Sequence, residues 1–68
     1  SMTLRQLREK RGLSQTGLAD LVGLKQVTIS QYENGSRRPD LVKSKRLADA
    51  LGISLDDFFR LDTFQNEI

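Results

Sequence analysis

The 68-residue sequence contains no cysteine and no histidine, and it has a single proline. Without cysteine there is no disulfide and no thiolate ligand, as is usual in the reducing cytoplasm, where we expect this protein. Without histidine, the chain lacks the commonest general base, and a zinc site would need carboxylates alone. The one close carboxylate pair, Asp56-Asp57, is explained by its place in the first turn of a predicted helix. We therefore predict no enzymatic activity, no metal site and no cofactor.

Long apolar runs are also missing. No stretch approaches the roughly 20 consecutive apolar residues that span a bilayer. No positively charged segment followed by an apolar run opens the chain, as it would in a signal peptide. The sequence therefore predicts one small domain with no membrane partner.

The net charge of +2 hides an uneven distribution. Residues 1–46 contain ten Lys and Arg against four Asp and Glu, a net charge of +6, whereas residues 47–68 carry a net charge of −4. A basic first part is typical of a protein that meets a polyanion, although scattered, solvated charges would give the same totals.

Apolar spacing and capping residues predict five short helices and no strand, hence an all-α fold. The helices are expected at about 4–11, 15–22, 26–34, 41–51 and from 55 onward. Thr3, Ser14 and Ser54 serve as N-caps, and Gly12, Gly35 and Gly52 as C-terminal caps. The expected inward residues include Leu4, Leu7, Leu18, Ala19, either Leu21 or Val22, Ile29, Tyr32, Leu41, Leu47, Ala48 and Leu51.

Residues 15–34 form the most informative stretch. Two short helices joined by a tight turn are the pattern of a DNA-reading helix-turn-helix element. Ala19 allows the two helices to approach closely, and Gly23 tolerates the unusual dihedrals of the turn. Ile29 and Tyr32 anchor the second helix, so its opposite side is expected to face outward.

That outward side of the predicted helix at 26–34 carries no full charge. Amides and hydroxyls suit the edges of bases in a major groove, and a valine can contact a thymine methyl group. An ordinary polar surface is the alternative. The predicted base-contacting residues are Gln26, Val27, Thr28, Ser30 and Gln31.

Polar and basic residues around this face are candidates for phosphate contacts, which supply affinity without sequence information. Gln15 begins a helix, where free N–H groups favour an anion. The predicted phosphate-contacting residues are Gln15, Lys25, Asn34, Arg37, Arg38 and Lys43. For each single cation, plain solvation is the alternative.

The sequence closely resembles the Cro/cI-type (XRE) helix-turn-helix family across residues 3–59. The motifs that carry the resemblance are Leu13-Ser14-Gln15, Leu18-Ala19, Gly23, Ile29-Ser30, Tyr32-Glu33-Asn34-Gly35, Arg38-Pro39 and the run from Leu47 to Phe59.

The resemblance implies a compact five-helix domain of the lambda-repressor-like type that binds operator DNA, usually as a dimer. It implies base contacts from Gln26, Val27 and Gln31, and an ion pair between Arg8 and Glu33. The expected organisation is a DNA-binding domain at 1–61, with the helix-turn-helix at 15–34 and its recognition helix at about 26–34, followed by a tail at 62–68.

The sequence departs from the family pattern in two helices. Gly17 stands where the family usually has glutamate, so the capping box of that helix is expected to be lost. Ser44 and Lys45 replace commonly apolar residues, which puts the packing of the helix at 41–51 in doubt and leaves a polar face for a partner subunit.

The function predicted from the sequence is a transcriptional regulator, a repressor, that binds a near-palindromic operator in double-stranded DNA as a homodimer. Candidate dimer surfaces are the fifth helix and the tail, through Phe58, Leu61 and Phe64. The alternative for Phe58 and Phe59 is that at least one of them belongs to the core. The alternative is an antitoxin whose tail, through Leu61, Phe64 and Ile68, binds a protein partner. The sequence also leaves open whether the chain is the N-terminal domain of a longer regulator.

Overall fold

The structure is a computed structural model that describes residues 1–65 and contains five α-helices and one short 3-10 helix. The elements are α1 (Leu4–Lys10), α2 (Gln15–Val22), α3 (Gln26–Asn34), α4 (Leu41–Leu51), α5 (Leu55–Phe59) and the 3-10 helix (Asp62–Phe64). No strand occurs among these residues, so the all-α prediction is confirmed.

Short polar side chains fix where the helices begin. Thr3 and Gln6 form a reciprocal capping box at α1, with hydrogen bonds of 2.9 and 3.1 Å. At α2 only one of the two hydrogen bonds of a capping box is present: the Ser14 hydroxyl accepts from the Gly17 N–H at 2.9 Å. Gly17 has no side chain that could accept from the Ser14 N–H, so the reciprocal bond is missing, as predicted. Asp40 caps α4, and the hydrogen bond from the Lys43 N–H holds the pKa of that carboxyl below its usual value.

The core collects apolar residues from every helix. Its buried apolar members are Leu4, Leu7, Leu18, Ala19, Val22, Ile29, Tyr32, Leu47, Ala48, Leu51, Phe58, Leu61 and Phe64. Between Leu21 and Val22 the structure therefore selects Val22, and Leu21 points to the surface. Most of the predicted inward residues are thus confirmed.

Leu41 was predicted to face the core, and this is wrong: 64% of its surface is exposed. It is the first residue of α4, and a side chain in a helix tilts toward the N-terminus, away from the turns that follow it. The core contacts of α4 begin one turn later, at Ser44.

Ser44 does not loosen α4. Its side chain is fully buried, and its hydroxyl donates to the Pro39 carbonyl at 3.4 Å, so the polar atom has a partner inside the core. A buried hydroxyl with a hydrogen-bond partner is compatible with a closely packed core, so Ser44 does not weaken the packing of α4.

The C-terminal segment returns to the start of the chain. The Asp62 N–H donates to the Met2 carbonyl at 2.8 Å, and the Leu4 N–H donates to the Thr63 hydroxyl at 2.8 Å. Phe64 is buried, and the centroid of its ring lies 4.8 Å from the centroid of the Phe58 ring. The 3-10 helix is thereby part of the same core.

This packing corrects two predictions about partners. Phe58, Leu61 and Phe64 were predicted as a dimer surface, and this is wrong because all three are buried within one chain. The same burial removes Leu61 and Phe64 from the proposed partner-binding tail. The third member of that tail, Ile68, lies outside the described residues.

Candidate nucleic-acid interface

The helix-turn-helix geometry arises from the junction of α2 and α3. Helix α2 ends at Val22 and is capped by Gly23, whose φ of +70° is a left-handed conformation that glycine adopts without steric cost. The next N–H, from Leu24, donates to the Ala19 carbonyl at 2.9 Å and closes the turn. Lys25 then precedes the first turn of α3.

Helix α3 is attached to the body by one side only. Ile29 and Tyr32 are fully or almost fully buried, and Leu24 packs against the core at the turn. Ala19 of α2 is buried as well, and its small side chain leaves room for α3 to pack against α2. One face of α3 is therefore packed against the body, and the opposite face is open to solvent.

The free face carries all five residues predicted to contact bases. Gln26 and Val27 are exposed, and Thr28, Ser30 and Gln31 are partly exposed. Val27 has 54% of its surface in solvent, although it is an apolar, β-branched side chain. The structure thus brings an uncharged set of amide, hydroxyl and methyl groups to one surface.

Glu33 lies on the opposite, protein-facing side of α3 and forms a buried ion pair. Its carboxylate accepts from Arg8 Nε at 2.6 Å and from Arg8 Nη2 at 3.1 Å. The two side chains are 5% and 8% exposed, respectively. The hydrogen bonding of Arg8 to the Glu33 carboxylate, in which Arg8 is the donor, raises the pKa of Arg8 against the opposing effect of burial. The pair joins α1 to the end of α3.

Two glutamines extend this ion pair toward the exposed face. Gln15 Nε2 donates to Glu33 Oε1 at 3.0 Å, and Gln26 Nε2 donates to Gln15 Oε1 at 2.6 Å. Sequence reasoning treated Gln15 and Gln26 separately, as a phosphate contact and a base contact. No local signal in the sequence pairs these two residues, because they begin different helices and their contact depends on how α2 packs against α3.

The residues predicted to contact phosphate lie in different settings. Lys25 and Arg37 are exposed, and Gln15 is partly exposed at the start of α2. Asn34 is exposed, and its Oδ1 accepts from the Ser36 N–H at 2.8 Å, which leaves Nδ2 as the donor toward a ligand. Lys43 forms an ion pair with the N-cap of its own helix, with 3.5 Å between Lys43 Nζ and Asp40 Oδ2.

Arg38 has a contact that the sequence did not reveal. Its Nη2 donates to the Phe64 carbonyl at 3.3 Å, and its guanidinium lies over the Phe64 ring, 5.6 Å from the centroid. Arg38 therefore holds the 3-10 helix against the loop that follows α3, while the residue as a whole remains exposed.

Other kinds of site find little support in the described part of the chain. Residues 1–65 contain no cluster of potential metal ligands and no helix that is long and apolar enough to cross a membrane. A shallow groove between α2 and α4 includes one carboxylate, Asp49, which is bound to Lys45 at 2.8 Å. That groove offers no acid–base pair.

Comparison with known proteins agrees with this geometry. A helix-turn-helix family model, HTH_3, matches residues 4–58. An uncharacterized HTH-type transcriptional regulator of Methanothermobacter thermautotrophicus is 40% identical over 60 residues, which cover 87% of each chain. The HTH-type transcriptional regulator AnsR of Bacillus subtilis is 39% identical over 79% of this chain and 47% of its own length.

A further relative is the SPbeta prophage-derived regulator YonR of Bacillus subtilis, which is 36% identical over 78% of this chain and 49% of its own length. The chain thus spans about half the length of these two Bacillus subtilis relatives and most of the archaeal one. The family model covers all five α-helices nearly completely. The chain belongs to the XRE-type helix-turn-helix family of transcriptional regulators and contains its DNA-binding domain.

Proposed function

We propose that this chain is a sequence-specific repressor that binds a near-palindromic operator in double-stranded DNA as a homodimer, in the cytoplasm and without enzymatic activity. The observation that carries the proposal is the uncharged, exposed face of α3, on which Val27 is half in solvent. Val27 has 54% of its surface in solvent and is not part of the core. It suits the thymine methyl groups and base edges of a major groove.

In this proposal, Gln26, Val27, Thr28, Ser30 and Gln31 read the bases. The phosphate contacts lie at the start of α2, on both sides of α3 and in the first turn of α4. They come from Gln15, Lys25, Asn34, Arg37, Arg38 and Lys43. The positive charge of residues 1–46 supports this assignment, because phosphate neutralisation supplies most of the affinity of such proteins.

Dimerisation would place two α3 helices in successive major grooves, about 34 Å apart on one side of the duplex. The body measures 33 × 22 × 21 Å, so two copies fit side by side over that distance. Large apolar side chains exposed away from α3 are available for such a contact, and they are Leu21, Leu41, Val42 and Phe59. Repression would then follow from steric exclusion of the polymerase.

Selection of bound duplexes from a random DNA pool tests the proposal directly. We expect enrichment of one motif whose two half-sites are inversely repeated and centred about 10 bp apart. An enriched motif without symmetry would contradict the dimer, and the absence of any enriched motif would contradict sequence-specific binding.

Substitution Gln31→Ala is expected to weaken binding to the selected site by about 1–3 kcal/mol and to relax the preference at one base pair of each half-site. The amide of Gln31 is the candidate for a paired contact, and alanine keeps the helix intact. Fluorescence anisotropy on the selected duplex and its single-base variants measures both effects. Equal weakening on every duplex would remove Gln31 from the base-reading set.

Substitution Lys25→Ala is expected to weaken binding to all duplexes alike and to reduce the slope of log K against log salt by about 1. Lys25 is exposed just before α3, and its side chain makes no capping hydrogen bond. The matched control is Lys45→Ala, which removes the same charge from the exposed side of α4 and should leave the slope unchanged. Equal slopes for both variants would contradict a phosphate contact from Lys25.

A further inference from the structure

One exposed arginine joins the C-terminal 3-10 helix to the loop that follows α3. Arg38 Nη2 donates to the Phe64 carbonyl at 3.3 Å, and the guanidinium lies over the Phe64 ring, 5.6 Å from its centroid. The 3-10 helix (Asp62–Phe64) lies beyond residues 4–58, which the helix-turn-helix family model matches. A candidate phosphate-binding cation is therefore bonded to a segment outside the matched part of the chain.

The segment that carries Phe64 is firmly attached to the body. Its backbone and the Thr63 hydroxyl form hydrogen bonds of 2.8 Å with the backbone of Met2 and Leu4, around the start of α1. The Phe64 ring itself is only 6% exposed and packs against Phe58. The guanidinium is thus in contact with a buried part of the fold and not with another surface loop.

The contact with Phe64 leaves the Arg38 guanidinium able to bind an anion. A guanidinium has five N–H groups, and the Phe64 carbonyl accepts from one of them, so up to four remain for a ligand. A phosphate binds arginine through N–H groups in the plane of the guanidinium, whereas an aromatic ring packs against its face. Since Arg38 as a whole is exposed, a phosphate can approach it without displacing Phe64.

The neighbouring Arg37 differs in this respect. It is equally a candidate phosphate contact and is exposed in the same loop. Among residues 1–65, however, its side chain forms no ion pair and no hydrogen bond. A free arginine side chain must become ordered when it binds a phosphate, which lowers the affinity it can contribute. The side chain of Arg38 is already ordered when the protein folds.

We propose that Phe64 is a positioning residue for DNA binding: its carbonyl and its ring hold the Arg38 guanidinium in place for a phosphate. The 3-10 helix then supports the DNA-binding surface without contacting DNA itself. The inference rests on the proposed DNA-binding function and goes beyond it, because it assigns a part in binding to a buried side chain outside residues 4–58.

The test is a double-mutant cycle with Phe64→Met, measured on the duplex selected from the random pool. Methionine removes the ring from beneath the guanidinium and leaves a flexible apolar side chain that can fill the same part of the core. Phe64→Met should weaken binding by about two- to fivefold, which corresponds to the loss of one cation–π contact. In the Arg38→Ala background the same substitution should cause no further weakening, because the side chain that it positions is gone.

Arg37→Ala is the matched control, because it removes an equal charge from the adjacent position without disturbing the contact between Arg38 and Phe64. In that background, Phe64→Met should weaken binding by the same factor as in the wild-type protein. An equal loss in the wild-type and Arg38→Ala backgrounds would show that Phe64 acts through the fold alone and would overturn the proposal. Wild-type affinity in a folded Phe64→Met protein would overturn it as well.

A measurement on the wild-type protein keeps the test decisive if Phe64→Met fails to fold. Nitrogen-15 relaxation of the arginine Nε–H groups in the DNA-free protein reports how ordered each side chain is. We expect an order parameter above about 0.6 for Arg38 and below that value for Arg37. Equal order parameters for the two would contradict positioning by Phe64. If the wild-type protein bound no duplex at all, the DNA-binding proposal itself would fail, and the two failures are thereby told apart.

Discussion

Replacing Arg8 with methionine is expected to lower the free energy of unfolding by about 3–5 kcal/mol, a large part of the total. The substitution leaves the Glu33 carboxylate buried without its cation, and breaking a buried pair from one side has this magnitude. It also removes the bond from Arg8 Nη1 to the Leu13 carbonyl, which is 2.9 Å long. A domain of 68 residues holds only about 3–10 kcal/mol in total. Urea denaturation followed by circular dichroism measures the change.

Two controls separate the buried pair from an ordinary salt bridge. Arg5→Met breaks an exposed pair with Glu9, at 3.5 Å, and should change stability by about 0.5 kcal/mol or less. The double variant Arg8→Met/Glu33→Met removes both charges and should be considerably more stable than Arg8→Met alone. If Arg8→Met were no more harmful than Arg5→Met, the pair would not be buried in the way described.

The second large effect is expected for Phe64→Ala, which should destabilise the domain by about 3–5 kcal/mol, as is typical of a buried phenylalanine. Phe64 is only 6% exposed; it packs on Phe58 and carries the Arg38 guanidinium over its ring. Its loss leaves a cavity and also releases the 3-10 helix from the loop after α3. Chemical denaturation gives the stability, and analytical ultracentrifugation gives the state of association.

The neighbouring Phe59→Ala is the matched control for Phe64→Ala. Phe59 is 40% exposed and packs edge-on against Phe58, with ring centroids 6.0 Å apart, so its loss should destabilise the domain by only about 1–2 kcal/mol. A Phe64→Ala protein with wild-type stability and an altered state of association would instead show that Phe64 belongs to an interface between subunits.

The helices could be predicted well because their signals are local. Thr3, Ser14 and Ser54 cap the helices that follow them through bonds spanning three residues, and the positive φ of Gly23 needs no distant partner. Such interactions are encoded in neighbouring residues, so α2, α3 and α4 have the predicted bounds and α1 ends one residue early. The exposed face of α3 follows from the same periodicity.

The remaining features depend on contacts between distant parts of the chain. Nothing near Phe64 in sequence indicates that its segment returns to Met2 and Leu4, so the aromatic residues of this region looked available for a partner. Ser44 looked like a flaw because its acceptor, the Pro39 carbonyl, is defined only once the loop is folded. Sequence patterns describe faces of helices, and they do not describe which face meets which.

The bonds of Gln15 also bear on how α3 moves. Gln26 and Glu33 lie near opposite ends of that helix, about 10 Å apart along its axis. The side chain of Gln15 forms a hydrogen bond with each of them. Together with the buried Ile29 and Tyr32, these bonds attach both ends of α3 to the body. We therefore expect less conformational entropy to be lost when the exposed face of α3 binds.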